Sequence, residues 1–170
     1  MAAAALAAHA GAAPGGIAAG LRSFPGVAHR LEVVGEADGV RFVNDSKATN
    51  VESALRSIES FELGLVPIIG GRFKGGDLRV LREPLVARAK AVVAIGESRP
   101  LVREALADAV DVHEAGSFEE AVATAFELAK PAGVVLLAPA CASFDMFRDY
   151  AERGRRFKEE VARLARQAGR

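Results

Sequence analysis

Three short runs of this chain carry no charged or hydrogen-bonding side chain at all: Leu65–Ile69, Ala91–Ile95 and Gly133–Ala138. A strand of that composition has no face that tolerates water, so both of its faces must be covered. The segments between the runs have helical periodicity. Leu78–Ala89 carries Leu78, Leu81, Leu85 and Val86, and Pro100–Ala109 opens on a proline at its first position, where the missing N–H costs nothing. Ser117–Lys130 opens on the capping box Ser117-x-x-Glu120. A last helix, from about Met146 to Gln167, aligns Phe147, Tyr150, Ala151, Phe157, Val161 and Leu164 on one face. Buried strands alternating with helices specify an α/β fold: a Rossmann-like, mostly parallel sheet with helices on both faces.

Two features precede that pattern. Leu31–Glu36 and Val40–Val43 read as strands joined around Asp38-Gly39, a hairpin signal, and Val110–His113 reads as a further short strand. Residues 1–21 contain no Lys, Arg, Asp or Glu. They are mostly alanine, interrupted by Gly11, Pro14, Gly15 and Gly16, with no basic stretch ahead of the apolar part. That pattern is neither a signal peptide nor a membrane span, which needs about 20 strongly apolar residues. It predicts two short Ala-rich helices, Ala2–Ala10 and Gly16–Phe24. Helices so small and featureless need a larger body to pack on, so the chain is expected to start inside a domain.

Composition narrows the function. Lys plus Arg and Asp plus Glu balance at 22 each with no basic stripe, which argues against nucleic-acid binding. The single cysteine, Cys141, excludes an internal disulfide framework and fits a reducing compartment. The three histidines, His9, His29 and His113, fall in no metal-ligand spacing, and no metal site is expected in this chain.

The chemistry concentrates where strands end. Asn44-Asp45-Ser46-Lys47-Ala48-Thr49-Asn50 follows Val40–Val43 and leads into an amphipathic helix with Val51, Ala54, Leu55, Ile58 and Phe61. Ligands in open α/β sheets bind beyond the carboxyl ends of strands, where helix N-termini favour phosphate or carboxylate. A polar turn capped by Thr49 or Asn50 would account for one or two of these residues, not for Asp45 and Lys47 together. After Leu65–Ile69 comes Gly70–Asp77, GGRFKGGD, with Arg72 and Lys74 among four glycines; it fits neither the P-loop nor the G-x-G-x-x-G spacing. After Val134–Leu137 comes Ala138–Asp145, APACASFD, a cradle of open backbone N–H groups with Ser143 as a further donor. The plainer account of that loop has Asp145 capping the last helix. Cys141 lacks an activating base and is not expected to be a nucleophile. All three loops are expected at one edge of the sheet.

These runs, with His29-Arg30-Leu31-Glu32, closely resemble the Mur ligase family, and within it the members that add D-glutamate to UDP-N-acetylmuramoyl-L-alanine in peptidoglycan and cell-wall synthesis. Other Mur ligases carry different residues at the NDSKATN position. The resemblance runs from about Ala2 to Leu164. It implies that residues 1–25 are the last helices of a central ATPase domain and that 26–170 form the C-terminal domain. It implies a cytoplasmic, ATP-dependent ligase in which the substrate carboxylate becomes an acyl phosphate that the D-glutamate amine attacks. By resemblance, Arg30 and Asp45 contact ATP, and Lys47 acts catalytically beside the phosphates or the incoming amino acid. Thr49, Lys74, Ser143, Phe144 and Tyr150 match positions that hold D-glutamate.

The cofactor implied is ATP with Mg2+, the metal ligands lying mostly in the central domain. The implied partners are D-glutamate, ATP, UDP-N-acetylmuramoyl-L-alanine and the N-terminal and central domains. The family's Gly-Lys-Thr loop is absent here, and Met1 and plain alanines stand where the family has asparagines near the first helix. The chain alone is therefore expected to be inactive as a ligase. The alternative is a free-standing module that binds an acidic amino acid or a nucleotide.

Overall fold

The computed structural model describes residues 2–168; Met1, Gly169 and Arg170 lie outside them. Two short helices, α1 (Ala2–His9) and α2 (Pro14–Ser23), touch each other and bury none of their residues. Six strands follow: β1 (Glu32–Ala37), β2 (Val40–Asn44), β3 (Leu65–Gly70), β4 (Val92–Ile95), β5 (Val112–Glu114) and β6 (Val134–Leu137). They form one sheet in the order β1-β2-β6-β3-β4-β5, with only β1 antiparallel. The sheet is therefore α/β and mostly parallel, as expected.

The β1–β2 hairpin turns through Asp38 and Gly39, both at positive φ (47° and 76°), the conformation that a tight two-residue turn between strands requires. Pro67 in the sheet interior would normally argue against a strand. It is tolerated because β4 pairs with β3 only from Ile68 onward.

The helices are α3 (Val51–Glu59), α4 (Arg82–Arg88), α5 (Arg99–Leu106), α6 (Phe118–Ala129) and α7 (Tyr150–Ala168). Alternation along each strand builds two cores. Val43, Leu65, Ile69, Val92, Ala94 and Leu136 meet α3, α4 and α5 on one face. Phe42, Val66, Ile68, Val93, Val135 and Leu137 meet α6 and α7 on the other.

Two helix expectations are corrected. Leu78–Ala89 is not one helix; Leu78–Leu81 forms a 3-10 turn before α4, with Asp77 accepting from the Arg79 N–H. The last helix starts at Tyr150, not near Met146. Asp149 Oδ1 accepts from the Glu152 N–H at 2.7 Å and Glu152 Oε2 accepts from the Arg148 N–H at 2.7 Å, so the helix start is fixed there. Phe147 lies in the turn before it and packs edge-on against Phe118.

Strand order positions the site. β2, β6 and β3 are adjacent and parallel, so their carboxyl ends, and the three loops that leave them, share one edge. The connection after β6 turns back to cover β1 and β2 through α7, whereas the one after β3 runs on to β4. Such a reversal opens a crevice at the strand ends.

Candidate functional site

Backbone hydrogen bonds join the three loops to one another. Arg72 and Ala142 exchange a pair of bonds at 2.9 and 3.0 Å, linking the loop after β3 to the loop after β6. The Ala140 N–H donates to Ala48 O at 2.9 Å, linking the loop after β6 to the loop after β2. Ala140 sits at φ +57°, a left-handed conformation that costs an alanine energy and is held by these neighbours. Gly71, at φ +131°, lies so close to Ala142 O and the Cys141 side chain that a Cβ there would collide with them. The expected convergence at one sheet edge is therefore present.

A cleft of about 340 Å³ opens beside the loop after β2, lined by Arg30, Asp45, Lys47, Arg56 and Ser57 among others. Asp45 is buried, with Oδ1 accepting from the Leu31 N–H at 3.3 Å and Oδ2 accepting from the Ser57 hydroxyl. Arg56 is engaged by Glu52 and Glu59. Arg30 and Lys47 have no ion pair among the described residues, so both cations face the cleft beside the Asp45 carboxylate. A held carboxylate with two cations beside it suits a polyhydroxylated, anionic ligand such as a nucleotide.

Lys47 also belongs to a second group. Its Nζ donates to Tyr150 Oη at 3.1 Å and lies 4.5 Å from the centre of that ring. Arg30, Asp45 and Lys47 are thus brought together, and Lys47 with Tyr150. Thr49, Lys74, Ser143 and Phe144 do not line the cleft. They stand on the three linked loops, with Ser143 buried and Lys74 and Phe144 exposed. The polar tips of Thr49, Lys74 and Ser143 make no hydrogen bond among the described residues.

Several residues that shape the site were not picked out by motif. Asn44, fully buried, accepts from the Ser46 N–H at 3.1 Å through Oδ1 and donates through Nδ2 to His29 Nδ1 (3.0 Å) and Gly154 O (3.2 Å). With Nδ2 as the donor, His29 Nδ1 is the acceptor, in the tautomer that carries its proton on Nε2. Burial, followed by the nearby Lys158 charge, holds its pKa below the usual histidine value. His29 and Leu31 both have positive φ (62° and 44°), bending the chain on either side of Arg30. Asp145 does not cap α7; its Oδ2 accepts from the Glu97 N–H at 3.0 Å, tying the loop after β6 to the loop after β4. Burial pushes the Cys141 thiol pKa up, which agrees with an unreactive packing cysteine.

Comparison with known proteins decides the family. The model of the family described as "Mur ligase, glutamate ligase domain" matches residues 29–141, more than half of the chain. The chain belongs to this family. Its Mur ligase relatives are similar across most of its length. It is 48% identical over 141 residues to the UDP-N-acetylmuramoylalanine--D-glutamate ligase of Geobacter sp. (strain M21), covering 83% of this chain and 31% of that protein. With the ligase of the same name from Myxococcus xanthus it shares 46% over 164 residues, covering 96% of this chain and 36% of the relative. The chain thus spans about a third of the length of the curated relatives it matches.

Among solved structures, a MurF ligase from Thermotoga maritima in complex with ADP superposes with a TM-score of 0.66 at 20% identity, over 96% of this chain and 36% of that one. A domain from a Haemophilus ducreyi putative UDP-N-acetylmuramate:L-alanyl-gamma-D-glutamyl-medo-diaminopimelate ligase superposes with a TM-score of 0.56 at 17% identity, covering 82% of this chain and 99% of that one. At these identities the likeness establishes the Mur ligase C-terminal fold alone.

Proposed function

We propose that this Mur ligase chain is the part of an ATP-dependent ligase that closes on ATP and D-glutamate while D-glutamate is joined to UDP-N-acetylmuramoyl-L-alanine in the cytoplasm. The observation that supports the reading is the backbone linkage of the three loops, which ties the loop carrying Asp45 and Lys47 to the loops carrying Lys74 and Ser143. In this reading Asp45 accepts from nucleotide hydroxyls, and Arg30 offers charge to the same ligand. ATP supplies the phosphoryl group that activates the substrate carboxylate.

Lys47, held on Tyr150, neutralises charge that develops on the transferring phosphoryl group or steadies the incoming amine. Lys74 pairs with a D-glutamate carboxylate, Ser143 and Thr49 donate to it, and Phe144 and Tyr150 wall the site. Among the described residues no three His, Cys, Asp or Glu side chains are grouped to hold a metal ion. In this reading a magnesium ion accompanying ATP is held mostly by residues of the central domain. The unburied pair α1–α2 is assigned with residues 1–25 to the end of a central domain, and residues 26–170 to the C-terminal domain; residues 1, 169 and 170 rest on sequence alone.

The test is a nuclear magnetic resonance titration of the 170-residue chain. ATP should shift amides of Arg30, Asp45 and Lys47, and D-glutamate those of Thr49, Lys74 and Ser143, with L-glutamate far weaker. Shifts from neither ligand, or equal responses to both glutamate enantiomers, would contradict the proposal. The chain alone should release no phosphate from ATP; a D-glutamate-dependent release by it would overturn the assignment of ATP chemistry to other domains.

A further inference from the structure

Arg153 interrupts the apolar face of α7 between Tyr150 and Phe157, and its side chain is 1% exposed. A guanidinium so deeply buried would ordinarily be neutralised by a carboxylate. Arg153 makes no ion pair among the described residues. Instead Nε donates to Ser46 Oγ at 3.0 Å, Nη2 donates to Ser46 O at 2.9 Å, and Nη1 and Nη2 both donate to Cys141 O at 3.2 Å. Ser46 Oγ in turn donates to Tyr150 O at 2.7 Å. One planar group therefore bridges the loop after β2 and the loop after β6, and it grips Ser46 between Asp45 and Lys47. Burial lowers its pKa to about 10, so it keeps its charge at neutral pH.

We infer that Arg153 is a positioning residue: its guanidinium clasps Ser46 and Cys141 so that Lys47 on one loop and Ser143 on the other are held at a fixed separation for the ligands they share. The inference deepens the function proposed above and rests on it for the identity of those ligands. The geometry explains the choice of arginine. Only a rigid planar fork reaches two carbonyls on different loops and a hydroxyl at once; a lysine presents a single point charge. A plain helix-packing role would not need the fork, because an apolar residue of similar length fills the same space.

The experiment compares wild type with Arg153→Met, Arg153→Lys and Ser46→Ala in the 170-residue chain. Amide hydrogen exchange is read at Ala140, whose N–H spans the clasped loops, and at Val93 and Val135 in the sheet. Arg153→Met should raise exchange at Ala140 at least tenfold while the sheet amides change less than threefold, since each carbonyl loses a charge-assisted bond. Arg153→Lys should give only partial recovery. Equal acceleration at all three amides, or full rescue by lysine, would overturn the clasp.

If Arg153→Met fails to fold, Ser46→Ala decides. It removes one arm, and unchanged exchange at Ala140 would overturn the inference. A D-glutamate titration of the same proteins forms the second arm. Tenfold weaker shifts at Ser143 in Arg153→Met support positioning, and unchanged affinity overturns it. If wild type shows no response to D-glutamate while the exchange effect is present, the proposed ligand is wrong and the clasp stands.

Discussion

Asn44→Leu tests whether the amide network at the end of β2 has the polarity assigned to it. Leucine has the same branched heavy-atom skeleton as asparagine, with bulkier methyl groups and none of its hydrogen bonds. The fully buried Ser46 N–H then loses the Asn44 Oδ1 acceptor, and such an orphaned donor costs about 1–3 kcal/mol. The bonds from Nδ2 to His29 Nδ1 and to Gly154 O are worth about 0.5–1.5 kcal/mol each. The total loss is therefore about 2–6 kcal/mol, read as a fall in the urea midpoint at unchanged m-value. For a chain of this size even the lower figure lowers Tm by roughly 4 °C. A loss below about 0.5 kcal/mol would refute the network.

Asn44→Asp separates polarity from shape. An acceptor then faces His29 Nδ1, which must carry a proton to answer it. The His29 pKa, depressed in the native chain, should rise above the usual histidine value. A ring titration that stays depressed would mean that His29 does not face Asn44.

Two further outcomes follow from the same geometry. The folded-state pKa of His29 lies below its unfolded value, so its stabilising effect is complete above about pH 6.5 and is lost as pH falls through the lower folded value. Urea midpoints should fall between pH 7.5 and pH 5, and His29→Asn, which tolerates the positive φ, should flatten that slope; an unchanged slope in the variant counts against His29 as the source. For Lys74→Ala in a complete ligase carrying this domain, loss of a charge-assisted bond worth about 1.5–3 kcal/mol predicts a roughly 10- to 150-fold fall in kcat/KM for D-glutamate, with the KM for ATP nearly unchanged. Unaltered D-glutamate kinetics would make GGRFKGGD a solvated glycine turn.

The sheet was legible because its central strands β3, β4 and β6 are apolar without interruption and its hairpin turns on Asp38-Gly39. Helix ends were less so. The start of α7 depends on Asp149 accepting from the Glu152 N–H and on Glu152 accepting from the Arg148 N–H, while Phe147 continues the apolar spacing for a tertiary reason, its contact with Phe118. Around the cleft, residues in polar runs at strand tips stood out in the sequence, as Asp45 and Lys47 did. Arg153 and Asp145 did not, because their partners, mostly backbone groups, lie more than ten residues away in sequence. The signal available for Arg153 was a charged residue in the core stripe of an amphipathic helix, followed at once by Gly154. That glycine is explained only by the His29 ring packed on it.

The central claim is that this domain brings D-glutamate to an ATP-activated carboxylate. Its most direct test is to replace the corresponding C-terminal region of the Geobacter ligase with residues 29–168 of this chain and measure phosphate release with UDP-N-acetylmuramoyl-L-alanine, ATP and single amino acids. A chimera that unfolds cooperatively and releases phosphate with D-glutamate, and not with L-glutamate, L-lysine or D-alanine, is the outcome predicted. A folded chimera that ignores D-glutamate, or that works equally with another amino acid, contradicts the account.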